Sequence, residues 1–460
     1  MEKLIVVSAD GHATMPPDMW PQYLETKYHR YLDRLRRESK LFSGSMKLLN
    51  DQMLTPETIR IFDKDGAYAS GGWQGLWDLK TRLHEMDREG IAAEFVFHAD
   101  FRSTDLFYGT ENGAYPLAAA DAGVRAYNRW LYDTFGSARD RLLLIGPAGT
   151  WLDIDATIDE ANWMADHGFA GVYTPGTCGY PGQPPLFDPY WDRLWAAYAE
   201  RGLVMITHGG YALDQGYTNG EVETADAVVK TMGGNDKDMI RELSRVFNHD
   251  FFTDLRCRRS LWQLTLGGVF DRHPGLKMMM TEVRADWIPA TLQLLDRLWE
   301  KHRDILPAKR PPSEYWRSNC MAGISFIHKC EVDMRHELGL GTVSFGRDYP
   351  HTESTWPNTL EYLHGLLRGV PEREVRSILG ENIIRFLGLD RVKLAAIAQR
   401  IGPTYDQIAG PGPEMDPALR AHLNMRCGYE DPAEGTSRVA ETEALVKSEL
   451  RRIAATAAAF

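Results

Sequence analysis

The chain has 460 residues, 43% hydrophobic and 25% charged, which are the proportions of an ordinary globular protein. They exclude extended disorder and disulfide-stapled mini-proteins, and the length suits about three domains of ~150 residues or one large barrel with insertions. With 52 basic against 64 acidic residues the net charge is −12, which disfavours nucleic acid as a partner.

Short apolar stretches alternate with longer stretches of helical period, the pattern of an α/β protein with a parallel sheet. In chain order, strands are expected at Lys3–Ala9, Ile91–His98, Leu142–Pro147, Gly171–Thr174, Leu203–His208, Lys277–Glu282, Ala322–Phe326 and Thr342–Gly346. Helices are expected at Asp78–Glu89, Pro116–Phe135, Ile154–Asp166, Pro189–Glu200, Leu261–Arg272, Ala285–Arg303, Lys329–Leu338 and Thr359–Leu367. Eight βα units in one run is the count of a (β/α)8 barrel. A doubly wound open sheet is the alternative, and the lack of a GxGxxG after the first strand weakens its nucleotide-binding form. Residues 1–390 are expected to form the barrel, with a cap insertion at about 15–75 and a lid at about 209–260. Residues 391–460 read as a helical extension ending in the helix Ser437–Ala459. That helix either crosses to a neighbouring subunit of a homodimer or lies on the barrel's outside.

The five cysteines are scattered and form no CxxC, which argues against a disulfide framework or structural zinc and fits a cytoplasmic setting. Near the start the longest apolar run is Leu4–Val7, too short for a signal segment or a membrane span, so no membrane partner is expected.

In a barrel of this kind the chemistry collects at the C-terminal ends of the strands. Strand one ends in Asp10-Gly11-His12, strand two in His98, strand five in His208, strand six in Glu282-Val283-Arg284, and strand eight runs into Asp348-Tyr349-Pro350-His351. Such groups resist burial unless paired or bound to a metal, so their convergence on one rim points to a shared cation. The spacing of Asp10 and His12 puts both on one face of the strand end. Taken alone, this pair also fits an Asx-turn beside a solvent-facing histidine.

The DxH of strand one, His208-Gly209-Gly210, Arg272-His273-Pro274-Gly275, Asp348-Tyr349-Pro350-His351 and Gly380-Glu381-Asn382 together resemble the amidohydrolase superfamily. The closest resemblance is to its branch of metal-dependent decarboxylases and "amidohydrolase 2" proteins. It covers about residues 4–389 and implies an amidohydrolase-type barrel with Asp10, His12, His208 and Asp348 as metal ligands. The sequence departs from the family pattern in three places. Asp10 stands where a histidine is usual, Glu282 stands where the sixth strand usually supplies histidine, and no lysine closes strand four. The expected ligand set is therefore Asp10, His12, His208, Glu282, Asp348 and His351.

Three carboxylates and three imidazoles suit iron or manganese at least as well as zinc, and six candidates exceed what one zinc needs. The carboxylate-rich site is similar to that of non-heme diiron monooxygenases of platensimycin-type diterpenoid biosynthesis. The first expectation is accordingly an oxygenase with two non-heme iron ions. It would take O2, an external reductant and an apolar, terpenoid-like substrate, either free or coenzyme-A-linked. The alternatives are a mononuclear zinc or manganese hydrolase or decarboxylase of a small carboxylate, amide or ester, and a non-catalytic metal-bound binding protein. Asp348, Glu282 and His98 are the candidate catalytic groups. Arg284, Tyr173 and Trp356 are candidates for substrate contact, and Arg256 and Arg258 for an acyl-coenzyme A phosphate.

Overall fold

The computed structural model describes residues 2–36, 55–98, 116–149, 151–174, 183–209, 255–282, 284–351, 354–426 and 438–458. Its centre is a parallel sheet of β1 (Val6–Ser8), β3 (Ile91–His98), β4 (Leu142–Pro147), β5 (Gly171–Tyr173), β6 (Val204–His208), β7 (Met278–Thr281), β8 (Cys320–Ser325) and β9 (Val343–Gly346). The strands pair in that order, and a short β2 (His12–Ala13) continues the first strand along β3. The ring is drawn shut between its ends: Ala9 N donates to Phe345 O and His12 N to Tyr349 O, both at 2.7 Å. These are the eight strands expected from the sequence. A (β/α)8 barrel of amidohydrolase type accounts for them.

Every residue of every barrel strand is buried. Both faces are covered, so the strands read as continuous apolar runs rather than alternating ones. The surrounding helices form where the sequence expects them. Asp78 and Asp153 cap α1 (Leu79–Arg88) and α3 (Ile154–Asp166) by accepting backbone N–H groups, and α2 (Leu117–Phe135) lies between them. The expected helix over 189–200 starts as a 3-10 turn, Pro189–Trp191, before α4 (Asp192–Arg201).

Some expected helices are divided. In place of one helix over 261–272 there are α5 (Leu255–Leu266) and a short turn, Val269–Arg272. Gly268 separates them at φ +65°, where a Cβ would meet the Pro307 backbone at 3.0 Å, so only glycine fits the break. α6 (Ile288–His302) begins three residues later than expected, with Pro289 in its first turn. An unexpected helix, α7 (Pro312–Asn319), precedes β8. Residues 329–338 divide into Lys329–Asp333 and Arg335–Leu338, and α8 (Thr359–Leu367) follows β9.

Of the expected cap, the segment Pro56–Phe62 is helical and Phe62 is buried with Phe326, Tyr362, Met415, Leu419 and Leu423. The last two belong to α9 (Pro417–Arg426), so the C-terminal extension packs over the cap. Of the expected lid, residues 210–254 lie outside the described residues. The final helix, α10 (Val439–Ala458), lies against the outside of its own barrel. Its buried Glu449 accepts from Arg259 Nε at 2.8 Å, Trp262 Nε1 at 2.9 Å and Gln263 Nε2 at 3.3 Å on α5. Among the described residues no helix is long and apolar enough to cross a membrane, and Cys257, Cys320 and Cys330 form no disulfide.

Glu449→Ala would strand three donors, those of Trp262 and Gln263 buried and that of Arg259 half-buried. We expect a loss of about 1–3 kcal/mol, read as a lower denaturation midpoint and earlier proteolytic release of α10.

Candidate metal centre

The barrel delivers the ligand candidates to one place. Asp10 and His12 follow β1, His208 ends β6, Glu282 follows β7, and Asp348 and His351 follow β9. One donor atom each from Asp10, His12, His208 and Glu282 lies within 4.8 Å of the others, and all four residues are buried. A second group, His12, Asp348 and His351, meets the same limit and shares His12 with the first.

The contacts are short. His12 Nε2 is 3.2 Å from Asp10 Oδ1 and 2.9 Å from Asp348 Oδ1. His208 Nε2 is 2.9 Å from Glu282 Oε2 and 3.6 Å from Asp10 Oδ1. His351 Nδ1 is 3.3 Å from Asp348 Oδ1, and its ring stacks on that of His12 at 3.8 Å between centroids.

The outward atoms of the ligands are engaged and the inward ones are left over. His12 Nδ1 bonds the His98 carbonyl at 2.9 Å, and His208 Nδ1 bonds the Gly209 carbonyl at 2.8 Å. In the neutral tautomer that donates from Nδ1, each Nε2 turns a lone pair toward the cluster. Asp10 Oδ2 accepts from the Ser325 hydroxyl. The remaining atoms, Asp10 Oδ1, His12 Nε2 and His208 Nε2, are buried and make no hydrogen bond of good geometry. Orphaned buried lone pairs of mixed oxygen and nitrogen character, aimed at one point, fit a divalent cation.

Backbone strain marks the same rim. Glu282, Arg284 and Asp348 have φ of +50°, +55° and +57°, a region non-glycine residues seldom occupy. Such strain collects where a side chain must be aimed against local preference.

Burial and neighbouring charges shift the titration of these groups in different directions. Burial alone would raise the Asp10 carboxyl, but His208 and His12 more than offset it and hold it well below the usual carboxylate range. Burial likewise opposes a charge on His208, but Glu282 and Asp10 raise it well above an ordinary histidine. His351 is pushed well below, by burial and then by His12, and so stays neutral.

The other expected site residues fall as follows. His98 ends β3, holds His12 through its carbonyl, and its ring meets Tyr173 edge-on at 4.6 Å. Tyr173 lies 5.6 Å from the His208 ring and Phe97 lies 5.4 Å from it, so an aromatic wall backs the ligands. Arg284 is buried and its Nε donates to Glu331 Oε1 at 3.2 Å. Trp356 Nε1 donates to Glu85 at 2.7 Å, and its ring packs edge-on against that of Tyr349, next to Asp348, at 5.3 Å. Arg258 is buried with its guanidinium 4.5 Å over the Trp287 ring, and the Arg256 side chain lies outside the described residues.

Sequence reading missed the buried charges behind the ligands. Glu94, inside β3, accepts from Arg82 at 2.6 Å and from Arg347, and Arg347 donates to Glu89 at 2.8 Å. The signals were a glutamate interrupting the apolar run Ile91–His98 and charges at 82, 85 and 89, on one stripe of α1.

The amidohydrolase profile (Amidohydro_2) matches residues 9–389. The chain belongs to the amidohydrolase family. Among solved structures, this amidohydrolase-family protein is similar to an amidohydrolase of Mycobacterium avium subsp. paratuberculosis K-10, at 18% identity and TM-score 0.58 over 84% of this chain and 99% of that one. It is also similar to the 2,6-dihydroxybenzoate decarboxylase from Rhizobium, at 18% identity and TM-score 0.52 over 84% and 99%. A third is a dihydroxybenzoic acid decarboxylase from Polaromonas sp. JS666 with bound manganese, at 14% and 0.53 over 85% and 99%. At these identities the likeness is one of fold. Among curated proteins, the γ-resorcylate decarboxylase of Rhodococcus jostii (strain RHA1) is 33% identical over 92 residues, 19% of this chain and only 28% of that protein.

Ser325→Ala frees Asp10 to rotate, and we expect manganese affinity to fall about 10–100-fold, measured by equilibrium dialysis. His208 must give up its proton to bind a cation, so apparent affinity should weaken as pH falls. The expected slope is about tenfold per pH unit for one displaced proton, and titration calorimetry in buffers of different ionisation enthalpy reads that proton.

Proposed function

We propose that this amidohydrolase-family protein is a metal-dependent decarboxylase of a small carboxylic acid, with manganese or zinc held by Asp10, His12, His208 and Asp348 and with Glu282 beside them. The observation that carries the reading is the gathering of oxygen and nitrogen donors into two groups that share His12 (Asp10, His12, His208 and Glu282 in one, His12, Asp348 and His351 in the other), with no sulfur in either among the described residues. Such a set suits manganese or zinc. The similarity to decarboxylases, one of them crystallised with manganese, supports the same choice.

A divalent cation bound there supplies Lewis-acid polarisation of a substrate oxygen and an anchor for a carboxylate. The chain's own residues do the rest. Arg284, fixed by Glu331 two residues past Glu282, offers positive charge to an acid at the mouth. Phe97 and Tyr173 form an apolar wall suited to a flat ring and keep water from the ligands. Decarboxylation replaces a carbon–carboxylate bond with a carbon–hydrogen bond and releases CO2, so a proton must reach that carbon. Asp348, between His12 and His351, is the group we assign to that transfer, with Glu282 and His98 as the other titratable groups at the rim.

A second reading, the non-heme diiron monooxygenase, has one observation in its favour: the His12, Asp348 and His351 group would serve a second ion beside the first. It would need O2 and an external reductant. Its acyl-coenzyme A substrate gains nothing from Arg258, which is buried over Trp287, or from Arg259, which pairs with Glu449.

Metal analysis of protein purified without added metal, followed by assays of CO2 release from hydroxylated aromatic acids, tests the proposal. About one manganese or zinc per chain with CO2 release is expected. Two irons with oxygen uptake would replace it with the oxygenase, cleavage of amides or esters alone with a hydrolase, and no turnover of any with a binding protein. Asp348→Asn is expected to lower kcat by about 10²–10⁴-fold while the fold, followed by circular dichroism, is kept.

A further inference from the structure

Behind the ligands runs a chain of charged side chains that none of the chemistry above uses. Arg82, Glu94 and Arg347 are fully buried, and Glu89 is nearly so. Glu94 sits at the middle as a fork. Its Oε2 accepts from Arg82 Nη2 at 2.6 Å, and Arg82 Nη1 donates to the backbone carbonyl of His12. Its Oε1 accepts from Arg347 Nε, and Arg347 is the residue before Asp348.

Each arm is anchored again beyond the fork. Arg347 Nη1 reaches Glu89 at 2.8 Å, and Glu89 accepts from Thr359 N at 2.9 Å and from its hydroxyl at 2.8 Å. The Arg347 backbone N–H donates to Ser8 Oγ at 3.0 Å, and that hydroxyl donates to the Asp10 carbonyl at 2.6 Å. Gly11, between Asp10 and His12, leaves the room for this approach: a Cβ there would meet Arg82 Nη2 at 2.7 Å and Glu94 at 2.8 Å. Two arginines and two glutamates cancel in charge, so the network needs no outside ion. A structural role alone would be filled more cheaply by apolar side chains, since buried ion pairs seldom stabilise more than a packed core does.

We infer that Glu94, acting through Arg82 and Arg347, is a positioning residue that sets the spacing of His12 and Asp348 and thereby the geometry in which a metal is held. The inference rests on the metal reading above. Glu94 bonds Arg82 and Arg347 and so works through the two backbone segments, from the first and last barrel strands, that carry His12 and Asp348. Those segments also meet through Ala9 N to Phe345 O and His12 N to Tyr349 O, and Arg347 directly precedes Asp348 with its strained φ.

The test uses the full chain and the metal alone. Glu94→Asp keeps the charge but shortens the fork by one methylene, and Arg82→Lys keeps the charge but loses the two-armed donor. Folding is checked by circular dichroism, manganese affinity by equilibrium dialysis, and ligand geometry by the visible spectrum of bound Co2+. The expected result is a folded variant with about 10–100-fold weaker manganese binding and a shifted Co2+ spectrum. A folded variant with the wild-type affinity and spectrum would overturn the inference, since a role in stability alone leaves both unmoved. If wild-type protein bound neither ion, the metal reading itself would fall, which is a separate result.

Discussion

Burying three carboxylates beside three imidazoles at the mouth of a barrel is the constraint that organises this molecule. In water-poor surroundings each such charge is costly unless it is paired, hydrogen-bonded or bound to a cation. For Asp10, His12 and His208 the protein meets that cost on the outward side, with backbone carbonyls for the two histidines and the Ser325 hydroxyl for Asp10. On the inward side it leaves lone pairs. Positive φ at Glu282, Arg284 and Asp348 is the backbone's share of the same cost, taken at the strand ends where aiming matters most.

The fold was legible because the barrel repeats one simple alternation eight times. Strands buried on both faces appear in the sequence as short apolar runs, and capped helices fill the gaps. The ligands were legible for a related reason. Polar residues such as Asp10, His208 and Glu282 appear directly after apolar strands, where a barrel concentrates its chemistry.

Other features were hidden by the rules that exposed these. A charged stripe on a helix ordinarily faces solvent, so the inward turn of Arg82, Glu85 and Glu89 is explained by their partners Glu94, Trp356 and Arg347, distant in sequence. The division at Gly268 depends on a close approach of the Pro307 backbone, which no local window contains. The contacts of Trp356, its indole N–H with Glu85 and its ring with Tyr349, likewise join residues distant in sequence. The direction of the last helix was undecided until Glu449 supplied its anchor on α5.

The candidate ligands are also far apart along the chain. Asp348 and His351 are made more than three hundred residues after Asp10 and His12. At ~5–20 residues per second of synthesis, the first pair waits many seconds on the ribosome before its partners exist. Until then two imidazole-and-carboxylate fragments are exposed with nothing to close around. An ion can be held with full affinity only after the last strand has joined the first, so metal acquisition is a step that follows completion of the barrel rather than one that guides it.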